Sequence, residues 1–389
     1  MINDTSTGTM PYGITEERLR RARVLFFTSP IGLGHAARDI AIAKKLKQIV
    51  SDEILFISGG AAYDLISKAG FQALDLYKPP CFTVDVGKLR NRAVWLMRYI
   101  IYYKRSKKIA EDVIMKTKAY HKPLIVSDED FASIAVSQNI FASKNVLIYD
   151  ILERPNYCNT SYDKNNVERG IADTHFTTGP LHIFEKKMNR SLRDLVNKCD
   201  KVIIPDFGSN STNLFYVGPI VREVTSDRKE LRNELGLTRK TILVCVGGTH
   251  AGRYLIQKSL EAYGKLKNRF DIDLVLVPGP NLNLDAPNDV RNLGYVDNLH
   301  EYIYACDLVI SLAGRSTIDE SIVYGTPGIF IPIKNHFEQE QNAIRFGYKY
   351  EDISKLVGLI EEKLGFTRIN TASISRGAEV AARIISEFL

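Results

Sequence analysis

Short apolar runs alternate along the chain with longer stretches in which apolar residues return every three to four positions. Residues 24–28 (VLFFT) form such a run, and residues 36–50 beyond it follow the helical period. The same reading predicts strands at 54–57, 124–126, 146–149 and 202–204, the last closing the first half. A second series starts near Tyr216, with strands at 241–246, 274–277, 308–311 and 328–331. Apolar runs separated by helices are the mark of parallel sheets built from βαβ units. The expected fold is α/β, with two doubly wound, Rossmann-like domains at 23–210 and 216–368. A polar tail (1–22) precedes them, and a C-terminal helix (369–389) is expected to pack back on the first domain. The turn-rich, charged stretch 206–240 is the expected boundary. In such sheets ligands lie beyond the carboxyl ends of the strands, so residues just after each run carry the functional reading.

Composition narrows the class. The chain has 389 residues, 45% apolar and 25% charged, ordinary for a globular protein with two cores. Its net charge of +7 suits a phosphate-bearing partner or an anionic membrane, and does not by itself call for nucleic acid. Cys81, Cys158, Cys199, Cys245 and Cys306 are odd in number and lack CxxC spacing. That argues against a zinc site or disulfide framework and for a reducing compartment. Residues 1–22 have no apolar core of a signal peptide, and no run reaches the about 18–20 apolar residues of a spanning helix. A cytoplasmic protein is expected, soluble or held peripherally at the inner membrane face.

In the second half, the strand at 241–246 runs into Gly247-Gly248-Thr249-His250-Ala251-Gly252. Glycines let backbone N–H groups approach a phosphate, and a following helix adds its positive end. A strand-to-helix turn also needs glycine for sterics alone, so this turn leaves both readings open. A longer ordered set follows. The strand ending at Ser311 opens into Ala313-Gly314-Arg315-Ser316-Thr317, then Glu320, Gly325-Thr326-Pro327, another strand, and Glu338-Gln339 with Asn342. Gly314, Arg315 and Ser316 can offer N–H groups to a diphosphate, Glu320 can accept from ribose hydroxyls, and Glu338 and Gln339 can bond sugar hydroxyls.

This segment resembles the donor site of inverting nucleotide-sugar transferases with the GT-B fold. It is similar to the UDP-glycosyltransferases, where G-x-x-S/T-x-x-E precedes G-x-P and D/E-Q-x-x-N-A. It also resembles the N-acetylglucosaminyltransferase of the lipid-linked peptidoglycan precursor. Gly248, Thr249 and His250 match that enzyme's glycine-rich turn, with Thr249 at its hydroxyl position. Val217-Gly218-Pro219-Ile220-Val221-Arg222 matches its V-G-x-P-V-R stretch, and the resemblance implies that Arg222 faces phosphate or nucleotide. Tyr295-Val296-Asp297 resembles its base-pocket turn, which implies that the Val296 backbone bonds the pyrimidine edge. Leu312 stands where the UDP-glycosyltransferases have histidine, and Glu338 where they have aspartate.

In the first half, residues 24–28 deliver Gly32-Leu33-Gly34-His35 with Arg38 beyond. Histidine titrates near about 6.5 and suits a general base; a helix-capping role is the alternative. The family's G-H motif favours His35 as the base, with Gly34 beside it on the acceptor side; Arg38 stands where the family often has proline and could contact an anionic acceptor. Ser127-Asp128-Glu129-Asp130 follows another strand. Asp128 or Asp130 could orient His35, act as the base or bind acceptor, with Asp150 a further candidate; the DxD spacing is not read as a metal site. Residues 88–108 (KLRNRAVWLMRYIIYYKRSKK) hold eight Lys/Arg, Trp95 and three Tyr. Trp95 and Arg98 are expected at an anionic membrane surface or lipid-linked acceptor, with a core-packed amphipathic helix and single-stranded nucleic acid as the other readings.

The resemblance thus implies a hexosyl-type glycosyltransferase that uses a UDP-sugar as co-substrate, with no cofactor and no metal, and inverts at the anomeric carbon. A UDP-sugar epimerase or hydrolase of the same fold, or a non-catalytic GT-B subunit supporting a partner enzyme, are the alternatives. Neither the sugar, the acceptor nor the oligomeric state is legible.

Overall fold

The computed structural model describes residues 16–139, 143–150, 190–248, 250–366, 368 and 376–389. In the first half these form strands β1 (Ala22–Thr28), β2 (Glu53–Ser58), β3 (Gln72–Asp75), β4 (Thr83–Asp85), β5 (Lys88–Arg90), β6 (Leu124–Asp128), β7 (Asn145–Ile148), β8 (Lys201–Ile204) and β9 (Leu214–Tyr216). The helices among them are α1 (Glu16–Arg21), α2 (Gly34–Ile49), α3 (Gly60–Lys68), α4 (Arg92–Lys118) and α5 (Phe131–Ser137). Seven strands make one sheet in the order β3-β2-β1-β6-β7-β8-β9, with every pair parallel.

The second half carries β10 (Lys240–Cys245), β11 (Ile272–Val277), β12 (Val290–Asn292), β13 (Leu308–Leu312) and β14 (Gly328–Ile331). Its helices are α6 (Arg228–Glu234), α7 (Arg253–Leu266), α8 (Leu299–Ala305), α9 (Arg315–Val323), α10 (Phe337–Ile344), α11 (Leu356–Leu364) and α12 (Gly377–Ser386). The five strands pair in parallel, ordered β12-β11-β10-β13-β14.

The apolar runs are continuous because both faces of each sheet are covered. In β1 the pleat sends Val24 and Phe26 into one core and Leu25 and Phe27 into the opposite one. In β10, Ile242 and Val244 face one core, Leu243 and Cys245 the other. Ala381, Ala382, Ile384 and Ile385 of α12 join the first-domain core beside Ile40 and Ala43 of α2, so the last helix packs on the N-terminal sheet.

Three sequence expectations need correction. The stretch 1–22 is not polar tail throughout: α1 buries Leu19 completely, and Ala22 already begins β1. The second series does not begin near Tyr216, because 214–216 is an edge strand that pairs with β8. The hairpin of β4 and β5, inside the expected N-terminal domain, docks on the C-terminal one. Leu89 is buried in the C-terminal core, its N–H donates to the Lys334 carbonyl, and Lys334 N–H donates to Gly87 (both 2.9 Å). Tyr350 Oη–H donates to the Val86 carbonyl (2.6 Å).

Each sheet has a switch point, where successive crossovers leave in opposite directions. It lies between β1 and β6 in the first sheet and between β10 and β13 in the second. Loops diverge there and open a crevice at the strands' carboxyl ends. The two crevices meet: Ser316 Oγ donates to the Gly34 carbonyl (3.0 Å), and Gly248 packs so closely on Leu33 that a Cβ there would sit 2.9 Å from its Cγ.

Candidate active site between the two switch points

Register sets the N-terminal wall of the cleft. Thr28, the last residue of β1, pairs with Asp128, the last of β6, so the turn after β1 brings His35 beside that carboxylate. His35 Nδ1 lies 3.0 Å from Asp128 Oδ1. Arg38, one helical turn on, donates Nε to Asp128 Oδ2 (2.8 Å) and Nη1 to Asp150 Oδ2 (2.9 Å). Asp39 lies behind, accepting from Thr28 Oγ1. Asp128 has no solvent exposure.

Burial would raise the Asp128 pKa, yet Arg38 and His35 overcome it and hold the carboxyl down to about 2. Burial would depress His35, but the Asp128 charge and hydrogen bond outweigh it, and the imidazole stands above its ordinary value. An ionised Asp128 can only accept, so Nδ1 carries the proton and Nε2 keeps a lone pair. That tautomer is the one a general base requires. Burial, and next Asp150, push Glu129 well above the usual carboxylate range, while Arg38 overrides burial and keeps Asp150 ionised.

His35, Asp128 and Glu129 bring ligand-type atoms within 4.8 Å of one another. Arg38 already supplies the positive charge there, with a second contact to Asp128 Oδ1 at 2.5 Å. The set is therefore a guanidinium-centred cluster. Asp130 is not part of it. Its carboxylate caps α5 by accepting from Ser133 N–H (3.3 Å) and takes the Tyr77 hydroxyl (2.8 Å). Arg38 is buried and bound to two carboxylates, so its charge is not offered to an acceptor.

On the C-terminal wall, Gly314, Arg315 and Ser316 stand where β13 enters α9, whose first N–H groups and dipole point into the crevice. The Arg315 side chain turns away from it. Buried, it pairs with Asp319 (2.8 Å) and donates to the Pro205 carbonyl (2.6 Å), bracing the link between domains. Glu320 is buried one turn further and receives Arg222 Nε (2.9 Å); Arg222 Nη1 donates to the Asp297 carbonyl (3.0 Å). Arg222 thus ties Glu320 to the Tyr295-Val296-Asp297 turn. Lys68 of α3 spans the cleft, with Nζ 3.1 Å from Asp297 and 5.1 Å from the Tyr295 ring centre.

Gln339 Oε1 accepts from Ile333 N–H (3.1 Å), and Asn342 donates to the Ala313 carbonyl (3.2 Å). The Glu338–Asn342 helix is thereby fixed to the turn before α9, with Glu338 half-buried in its first turn. Gly248 is close to Leu33, His250 is exposed in a short 3₁₀ turn, and Thr249 lies outside the described residues. Trp95 donates Nε1–H to the Pro80 carbonyl (3.2 Å) and stacks between Phe82 and Tyr99, at 4.7 and 5.1 Å. Arg98 is exposed on the same helix.

Two site residues escaped the sequence reading. Asp39 has only its burial to mark it. Glu129 sat unseparated in an acidic triplet, and its signal is conformational: φ is +52°, left-handed and uncommon for a non-glycine residue.

Residues 241–355 match the glycosyltransferase family 28 C-terminal domain. The chain is 26% identical over 340 residues to an uncharacterized glycosyltransferase of Methanosarcina acetivorans, covering 82% of each. It is also 26% identical over 338 residues to the UDP-N-acetylglucosamine--N-acetylmuramyl-(pentapeptide) pyrophosphoryl-undecaprenol N-acetylglucosamine transferase of Carboxydothermus hydrogenoformans, covering 80% of this chain and 79% of that one. Among solved structures, the Streptomyces sp. SF2575 glycosyltransferase SsfS6 complexed with thymidine diphosphate superposes with a TM-score of 0.56 at 13% identity, covering 94% of this chain and 99% of the other. With two switch-point crevices facing each other across one cleft, the chain is a glycosyltransferase with the GT-B fold, and its residues 241–355 are similar to the family 28 C-terminal domain.

Proposed function

We propose that the protein is an inverting transferase that moves a sugar from a UDP-sugar to a hydroxyl of a lipid-linked acceptor, without a metal. The observation that carries this reading is the His35–Asp128 pair at 3.0 Å, one residue from the Gly34 carbonyl that Ser316 touches. A base with its lone pair on Nε2 stands beside the helix end suited to a diphosphate. The acceptor O–H gives its proton to Nε2 while its oxygen bonds to the anomeric carbon. The carbon–oxygen bond to UDP breaks on the opposite face, and its electron pair leaves with the diphosphate. N–H groups at the start of α9, already oriented, would stabilise that charge. Both carboxylates of the DxD spacing are engaged elsewhere, which supports a metal-independent mechanism.

The nucleotide reading draws on the thymidine diphosphate bound to the structural neighbour and the UDP-sugar named for the Carboxydothermus relative. That relative's printed name also supplies the lipid-linked acceptor. On α4, Val94, Met97 and Ile101 lie on one face and are 48, 66 and 68% exposed, an unusual loss of burial for three large apolar residues. Exposed Arg92, Arg98, Lys104, Arg105 and Lys108 flank them. Such a face suits the anionic inner surface of a cell membrane. No helix among the described residues is long and apolar enough to cross a membrane.

The test is turnover of a panel of UDP-sugars with a membrane lipid extract, with the product's anomeric configuration read by NMR. Turnover with inversion, abolished by H35A, is expected. Retention, or full activity of H35A, would sink the mechanism. Co-sedimentation with phosphatidylglycerol vesicles, lost in Met97→Asp/Ile101→Asp, tests the membrane face.

A further inference from the structure

Glu129 is the one carboxyl of the cluster that faces His35 on its reacting side. Its Oε2 lies 3.9 Å from His35 Nε2, while Asp128 engages Nδ1. Its Oε1 is turned to the other wall, 3.4 Å from the Asp150 N–H and 3.9 Å from Arg38. Burial, and next the neighbouring Asp150 carboxyl, push Glu129 well above the usual carboxylate range, which favours its protonated form. Asp150 is salt-bridged to Arg38, so the proton belongs to Glu129. The backbone is held left-handed at φ +52°, where a side chain with Cβ costs about 1–2 kcal/mol. Non-glycine residues persist in such conformations mainly where surrounding structure and function hold them.

We propose that Glu129 is a specificity-determining residue of the transfer site, whose Oε2 receives a second hydroxyl next to the one deprotonated by His35, so that the acceptor is a sugar ring bearing two adjacent hydroxyls. This rests on the transferase reading above and names its acceptor class. Atoms 3.9 Å apart are too distant to bond each other. Adjacent pyranose hydroxyls lie about one hydrogen-bond length apart, so one can meet Nε2 while its neighbour donates to Oε2. A proton carried on Oε1, the oxygen turned toward Asp150, leaves Oε2 as an acceptor. An ionised Glu129 would instead compete with His35 for the same proton and draw the imidazolium onto itself. An acceptor with a single hydroxyl gains nothing from Oε2 and leaves it buried and unpaired, which costs affinity.

Glutamine reproduces this role toward the acceptor, because its carbonyl faces His35 while its amide donates toward the Asp150 carboxylate, giving up only the long Asp150 N–H contact (3.4 Å). The experiment compares wild type, E129A and E129Q with octyl β-D-glucopyranoside and 1-octanol as acceptors and the UDP-sugars that wild type turns over. UDP affinity is measured alongside by calorimetry. Expected are transfer to the glucoside and not to octanol, an acceptor KM raised at least 10-fold in E129A, rescue in E129Q to within about threefold of wild type, and equal UDP affinity in all three. The proposal is overturned if E129Q is as impaired as E129A, if E129A keeps the wild-type KM, if octanol serves as well as the glucoside, or if UDP binds and the glucoside is not glycosylated. Loss of UDP binding in the wild type would instead overturn the parent reading.

Discussion

Replacing Asp128 by Asn separates the two jobs of that carboxylate, charge and tautomer control. The side chain is fully buried, 3.0 Å from His35 Nδ1 and 2.8 Å from Arg38 Nε. An asparagine of the same shape can turn its NH₂ to Nδ1, which then accepts, and the proton moves to Nε2, where the base lone pair is needed. General-base catalysis contributes about 10²–10⁴ in rate, or about 3–5 kcal/mol, and D128N should forfeit most of it in kcat. UDP affinity should change little, because the donor contacts lie in the other domain. Arg38 keeps Asp150, so the fold should lose less than the about 3–5 kcal/mol of a fully orphaned buried charge.

The pH profile gives an independent sign. The base must be neutral, so kcat/KM falls as pH drops through the His35 pKa of the free enzyme. In the wild type Asp128 lifts that pKa above its ordinary 6.5, placing the acidic limb above about 6.5. Without Asp128, burial and Arg38 remain as the leading influences and both act downward. The residual activity of D128N should therefore show its acidic limb at lower pH. Wild-type kcat in D128N, or an unmoved limb with intact folding by circular dichroism, would refute the pairing.

Other outcomes follow from the same geometry. Glu320→Ala should weaken UDP binding at least 10-fold by calorimetry, because it removes the buried carboxylate at the base turn and leaves Arg222 unpaired; unchanged affinity would discount the ribose role. Leu89→Ala should cost about 2–5 kcal/mol in denaturant unfolding, and the loss should appear in the C-terminal unit despite the residue's place early in the chain. Glu129→Gly should release the left-handed strain and raise unfolding stability by about 1 kcal/mol while lowering transfer; a destabilised variant would mean that Glu129 is there for the fold.

The repeating sheets were legible because a strand covered on both faces is apolar throughout, and β1, β6, β10 and β13 needed no partner information to be seen. The signals failed where an element is defined by what it touches. The hairpin of β4 and β5 has three-residue strands with one inward residue each, and Leu89 reads as an interior position only once the C-terminal core stands beneath it. Residues 214–216 resemble the start of a new unit until β8 offers them an edge. The site divides the same way. Glycine turns announce a close backbone approach locally, so Gly34, Gly248 and Gly314 could be marked without coordinates, and Gly34 and Gly248 turn out to be approached by the opposite domain. Charges do not announce their partners. Arg222 and Glu320 stand 98 positions apart and each reads as a ligand-binding group, whereas in the fold each is the other's counter-ion. On the proposed reading, a UDP ribose would take Glu320 oxygens already hydrogen-bonded to Arg222. The half-buried guanidinium keeps that carboxylate oriented with its remaining lone pairs available, so on the proposed reading the pair acts as a prepared receptor rather than as two separate contacts.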